Sequence, residues 1–144
     1  MTRALLDTSL VIALFQERRT FALGDFATLA LSSLTYAELR LGIAMAATAD
    51  IVRRRVAALE RAEEIFGPGI PFDDNAAVRY GLITADVQRR GGDPKAHRTD
   101  RMIAAVAAST GRTLLTLNDA DLKGLDDLVT VERPAFIEDA GAHA

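Results

Sequence analysis

The chain has 144 residues, 49% of them apolar, enough for one domain with a real core and too few for two ordinary ones. It contains no cysteine, which excludes disulfide frameworks and thiolate metal sites, and it has no apolar run near the roughly 20 residues that span a bilayer. A net charge of −3 argues against nucleic-acid binding by bulk field, yet arginine is bunched at Arg53-Arg54-Arg55, at Arg89-Arg90 and from Lys95 to Arg101, so a basic rim around an acidic pocket would give the same total.

Taken from the N-terminus, Ala4 to Leu6 reads as a first strand. The segment before it meets Asp7 too early for a signal peptide, so a cytoplasmic protein without membrane contact is expected. A helix from about Ser9 to Gln16 follows, then a second strand near Thr28 to Leu31 and a helix from Ser33 or Thr35 to about Ala46. From Asp50 to Phe66 the apolar residues Val52, Val56, Leu59 and Phe66 fall at helix spacing with one buried stripe, ended by Gly67-Pro68-Gly69. A short strand is expected at Ile70 to Phe72, and a helix from Asp74 to Arg90 with Ala76, Tyr80, Ile83 and Val87 inward.

Gly91-Gly92-Asp93-Pro94 breaks the chain into a loop. The alanine-rich segment from Thr99 to Thr110 reads as a buried helix ended by Gly111, with strands at Leu114 to Leu117 and Val129 to Val131. Alternating strands and helices without repeats predict an α/β protein with a mainly parallel sheet, in a single domain over residues 1–138 with a loose tail over 139–144. His97 falls in a loop and His143 in the tail, so any metal is expected to be held by oxygen.

Four acids fall at carboxyl ends of strands or at the starts of the following helices, where an open parallel sheet carries its functional groups. Asp7 follows the first strand, Glu38 lies in the first turn of the helix after the second, Asp100 opens the alanine-rich helix, and Asp121 follows the Leu114 to Leu117 strand. Each has a plain structural explanation on its own. Asp7 can N-cap a helix, Glu38 can close a capping box on Thr35, Asp100 can favour a helix dipole and Asp121 can form a turn. Together at one sheet edge they would repel, and a hard cation such as Mg²⁺ or Mn²⁺ would compensate them. Such an ion also takes phosphate oxygens and lowers the pKa of a water, which makes phosphate-ester hydrolysis without a protein nucleophile the natural use.

Four segments in this order resemble the VapC toxins of the PIN-domain ribonucleases. They are Asp7-Thr8-Ser9, Ser33-Leu34-Thr35-Tyr36-Ala37-Glu38-Leu39, Asp100-Arg101-Met102-Ile103-Ala104-Ala105-Val106-Ala107 and Thr116-Leu117-Asn118-Asp119-Ala120-Asp121. The resemblance covers residues 4 to 131 and implies a PIN-like three-layer fold, with the sheet flanked by helices. It also implies a Mg²⁺- or Mn²⁺-dependent endoribonuclease, a phosphodiester hydrolase that cuts tRNA or ribosomal RNA as the toxin of a toxin–antitoxin pair.

By the same resemblance Asp7 and Asp100 are metal ligands, Glu38 stands close to the ion, and Asp121 is the fourth acid. Asp119 is the alternative, because Leu122 stands where the family commonly has phenylalanine. Thr8, Ser9, Thr116 and Asn118 would orient carboxylates or water. Lys95, His97, Arg98 and Arg101 are candidate RNA phosphate contacts on the rim, a solvated loop being the alternative. The implied partners are a homodimeric second copy and a VapB-like antitoxin that blocks the pocket, with operator DNA bound only through that complex.

Three other readings compete. A PIN-like module that binds RNA or protein without catalysis would use the same pocket, but all four acids are present. A phosphoacceptor domain would need an acidic pair at the first strand and a lysine after the late one, and a nucleotide-binding domain would need a glycine-rich phosphate loop. The chain has none of these.

Overall fold

The computed structural model describes residues 2–24 and 26–137. The tail expected over 139–144, His143 within it and the expected last residue of the domain, 138, lie outside the described residues. The strands are β1 (Arg3–Leu6), β2 (Thr28–Ala30), β3 (Thr113–Leu115) and β4 (Val131–Glu132). The helices are α1 (Thr8–Val11), α2 (Ser33–Ala44), α3 (Ala49–Phe66), α4 (Asp74–Arg89) and α5 (Arg98–Ser109).

The sheet has the order β2-β1-β3-β4 with every pairing parallel, Leu5 standing between Ala30 and Leu114. Central strand β1 is buried along Ala4, Leu5 and Leu6 because helices cover both faces of the sheet. Successive side chains of a strand point to opposite faces. Leu5 and Leu114 therefore pack with Ile83 and Val87 of α4 and Ile103 of α5, while Ala4, Leu6 and Leu115 pack with Leu10, Leu39, Leu59 and Ala62 from α1, α2 and α3. Helices, sheet and helices make three layers, as the family resemblance implies, around the parallel sheet that the alternation of elements predicts. Burying a leucine such as Leu5 or Leu6 contributes about 1.5–3 kcal/mol, which makes these layers the main stabilising feature.

Ala104, Ala105 and Ala107 of α5 are fully buried, and their small side chains let this helix lie close to the sheet and to α4. Gly111, with φ of 64°, reverses the chain into β3, a conformation that a β-carbon would strain.

Three local expectations are corrected. The helix expected from Ser9 to Gln16 is one α-turn followed by a π-turn over Ile12–Gln16, in which the Glu17 amide donates to the Ile12 carbonyl. The strand expected at Ile70 to Phe72 shrinks to a single bridge between Ser32 and Ile70, since Pro71 has no amide hydrogen to donate to a ladder. The last strand begins at Val131 rather than Val129, whose amide is taken by the Leu125 carbonyl in a turn.

Candidate active site

The strand order reverses around β1: the chain leaves β1 for β2 on one side and reaches β3 on the other. The crevice of an open parallel sheet lies outside the carboxyl ends of such strands. Asp7 follows β1 there, Thr116 follows β3, and the helix starts of α2 and α5 are brought to the same edge by the antiparallel return of each helix.

Asp7 stands at the N-cap position of α1, but its carboxylate makes no cap. Its carbonyl receives the Leu10 and Val11 amides, which frees the side chain for the crevice. Asp7 Oδ2 accepts from the Thr116 hydroxyl at 2.7 Å and from the Ser9 hydroxyl at 3.1 Å. Asp7 Oδ1 is buried without a hydrogen-bond partner among the described residues, in a residue only 2% exposed. Burial pushes this carboxyl above the ordinary range; the bonds from Thr116, Thr8 and Ser9 oppose the shift, and the charge of Asp121 adds to it.

Glu38 is corrected in position. Helix α2 starts at Ser33 with Ser32 as its cap, the Ser32 side chain accepting from the Leu34 amide, so Glu38 lies in the second turn. The capping box on Thr35 does not form: the Thr35 amide donates to the Ser32 carbonyl, and Glu38 Oε1 accepts from the Thr8 hydroxyl at 2.6 Å. Thr8 Oγ1 is also 3.1 Å from the Thr35 hydroxyl. Burial pushes the Glu38 carboxyl up, and the charge of Asp7 adds to the shift.

Asp100 lies in the first turn of α5, half-buried. Burial, then the charges of Asp7, Glu38 and Asp121, push its carboxyl up to about 6, with His97 opposing. The four expected acids thus belong to one electrostatic cluster, and each acid that shifts is raised mainly by the loss of water around it.

The turn after β3 separates the two candidates for the fourth acid. Asp119 is drawn outward to Arg133, whose guanidinium also donates to the Leu117 carbonyl. Asp121, on the same short 3₁₀ turn, faces Asp7 and Asp100 electrostatically. Thr116, fully buried, donates to Asp7 while accepting the Asn118 amide at 2.9 Å, and Ser9 accepts the Leu117 amide at 3.1 Å. These bonds lock the strand end and the turn together. Asn118 enters the network by its backbone; among the described contacts its side-chain amide makes none.

Of the expected RNA contacts, Lys95 and Arg98 are exposed, whereas Arg101 is not on the rim. Arg101 is buried, and its guanidinium donates to the Asp93 carbonyl at 2.7 Å, pinning the loop before α5. Arg53 and Arg54 are on the outer side of α3, where Arg53 pairs with Asp50, whereas Arg55 is half-buried and donates to the Gly42 carbonyl of α2. Tyr36 packs inward and donates its hydroxyl hydrogen to the Gly67 carbonyl at 2.7 Å.

His97 was expected only in a solvated loop or on the rim, and the fold brings it to the acids instead. Its Nδ1 is 3.4 Å from Asp121 Oδ2, and one ligand atom from each of His97, Asp100 and Asp121 lies within 4.8 Å of the other two. The sequence carried one signal for this: His97 and Asp100 are three residues apart at a helix start, a spacing that puts both on one face. The crowded carboxylates and the unpartnered buried Asp7 oxygen fit a hard divalent cation, which is itself the partner that such a donor set lacks.

The sequence pattern of the PIN domain matches residues 4–128. Ribonuclease VapC5 of Mycobacterium tuberculosis is 35% identical over 127 residues, covering 88% of this chain and 90% of that protein. Among solved structures, VapBC-5 of Mycobacterium tuberculosis, a member of the VapBC family of toxin–antitoxin systems, superposes with a TM-score of 0.73 at 33% identity, over 92% of this chain and 98% of that one. FitAcB of Neisseria gonorrhoeae superposes with a TM-score of 0.69 at 28% identity, over 89% of this chain and 95% of that one.

Proposed function

This chain belongs to the PIN-domain family and to its VapC proteins, and from that premise we propose that it is a metal-dependent endoribonuclease acting as the toxin of a toxin–antitoxin pair. The observation that carries the reading is the Asp7 carboxylate, buried at the crevice with one oxygen unpartnered and in electrostatic contact with Glu38, Asp100 and Asp121. Burying so much like charge costs stability unless a cation joins it.

Asp7 and Asp100 would hold Mg²⁺ or Mn²⁺, with Glu38 and Asp121 beside them. When bound, such a cation supplies Lewis acidity and lowers the pKa of water, so RNA phosphodiester hydrolysis needs no nucleophile from the protein. The chain's own residues do the positioning. Thr116 and Ser9 hold Asp7 Oδ2 and leave Oδ1 as the atom that would take the ion, and Thr8 hydrogen-bonds Glu38 Oε1. Lys95 and Arg98 are exposed next to the crevice and would receive the phosphates of the substrate, a tRNA or ribosomal RNA.

The likeness to ribonuclease VapC5 and to VapBC-5 supports a VapB-like antitoxin as partner. A homodimer, operator DNA bound through the antitoxin complex, one PIN domain over residues 1–138 and a cytoplasmic location complete the proposal. Among the described residues no helix is long and apolar enough to cross a membrane.

The test is cleavage of total cellular RNA by antitoxin-free protein with Mg²⁺ or Mn²⁺, with EDTA, and by Asp100→Asn. Discrete fragments that need the ion and vanish in the variant support the reading. Absence of cleavage by folded protein across many RNAs would leave the non-catalytic binding module in its place.

A further inference from the structure

The basic group that the fold sets against the acids is an imidazole. His97 precedes α5 in a left-handed conformation, φ 53° and ψ 40°, and from there its ring reaches Asp121 across the crevice. Its sequence neighbour Arg101, the more obvious counter-charge, is turned away to the Asp93 carbonyl, and Arg133 is occupied with Asp119. Donor atoms of His97, Asp100 and Asp121 lie within 4.8 Å of each other. Two atoms bound to one divalent ion stand at most about 4.5 Å apart, since each bond is about 2.0–2.2 Å. The three donor atoms therefore lie close to the span of a single ion's ligand shell.

A second observation points to a cation independently of this cluster. Asp7 Oδ1, in a residue 2% exposed, has no hydrogen-bond partner among the described residues, and Asp7 interacts electrostatically with both Asp121 and Asp100. A buried carboxylate oxygen without a donor is a costly arrangement that an ion removes.

We propose that His97 supplies a nitrogen ligand to the cation that Asp7 and Asp100 would hold with Asp121 beside them, which makes the donor set mixed and gives this protein a preference for Mn²⁺ over Mg²⁺. Imidazole suits first-row transition ions, whereas Mg²⁺ is held by oxygen and keeps its waters. The inference rests on the proposed cation site and adds the identity of one ligand and the direction of metal choice.

The experiment is Mn²⁺ titration of the metal-stripped, full-length chain, read by electron paramagnetic resonance, with pulsed detection of ¹⁴N coupling to the bound ion. The expected result is bound Mn²⁺ with ¹⁴N coupling in the parent and in His143→Gln, lost in His97→Gln. Mn²⁺ affinity should fall about 10- to 100-fold in His97→Gln, as when a metal-site partner is removed, while Mg²⁺ affinity changes less than about threefold. Bound Mn²⁺ without ¹⁴N coupling in the parent, or coupling that persists in His97→Gln, overturns the ligand and leaves the carboxylate site standing. No Mn²⁺ binding at all overturns the cation site itself and this inference with it.

Discussion

Thr116 and Asp7 stand 109 residues apart in the chain and are joined by a 2.7 Å hydrogen bond from the threonine hydroxyl to the buried aspartate Oδ2. The same hydroxyl oxygen accepts the Asn118 amide, so one side chain ties the end of β1 to the turn that carries Asp121. Replacing it by a shape-matched apolar residue keeps the packing and removes both bonds. Thr116→Val is expected to cost about 1–3 kcal/mol in urea denaturation, the usual penalty for orphaning buried polar groups. RNA cleavage should fall about 10- to 100-fold, and Thr116→Ser should recover most of both losses. A Thr116→Val protein with parent stability and rate would show that this bond positions nothing.

Asp7→Asn and Asp100→Asn remove one negative charge each while keeping the side-chain shape. Cleavage is expected to drop by about 10²-fold or more in each, with circular dichroism unchanged. Full activity in both variants would end the carboxylate mechanism.

The two acids of the β3 turn give a paired test. Asp119 is drawn to Arg133, and Asp121 is coupled to Asp7 and Asp100. Asp121→Asn should lose at least about tenfold in cleavage rate, and Asp119→Asn should stay within about twofold. The reverse ranking would make Asp119 the fourth acid.

Asp100 makes stability depend on pH in a direction opposite to that of a salt-bridged aspartate. Its folded pKa is raised to about 6, so the folded state holds a proton that the unfolded chain releases near pH 4. The stability linked to that proton is fully present below pH 4 and is lost as pH rises through 6. In EDTA at pH 7.5, Asp100→Asn should be more stable than the parent. The full two-unit shift would be worth about 3 kcal/mol, but the group is half-exposed and screened, so about 1 kcal/mol, or about 3 °C in Tm, is expected. The difference should vanish at pH 4, as read by thermal melts. Adding Mn²⁺ at pH 7.5 should reverse the order, because the parent gains binding energy and the variant does not. A parent that gains stability from pH 4 to pH 7.5 relative to the variant, without metal, would contradict the burial of this charge.

The sequence by itself determined the α/β class with its parallel sheet and the placing of the four acids near strand ends and helix starts. Both follow from local rules: apolar periodicity separates strands from helices, and loops at the carboxyl ends of parallel strands carry polar groups whatever the details of packing. Leu5 flanked by Ala4 and Leu6 is as apolar in the sequence as it is buried in the sheet.

The tertiary structure decided what each polar side chain touches. Glu38 looks like half of a capping box until Ser32 takes the cap and Thr8, from another helix, takes the carboxylate. Asp119 and Asp121 are equivalent in composition, and their tertiary neighbours separate them: Arg133 pairs with Asp119, while His97, Asp7 and Asp100 face Asp121. Arg101 looked like a rim residue and is buried, while His97 looked like a loop residue and faces the acids. The physical reason is one of range. Backbone periodicity is written within a few residues, whereas hydrogen bonds and charge pairs are made between segments that only the closed sheet brings together.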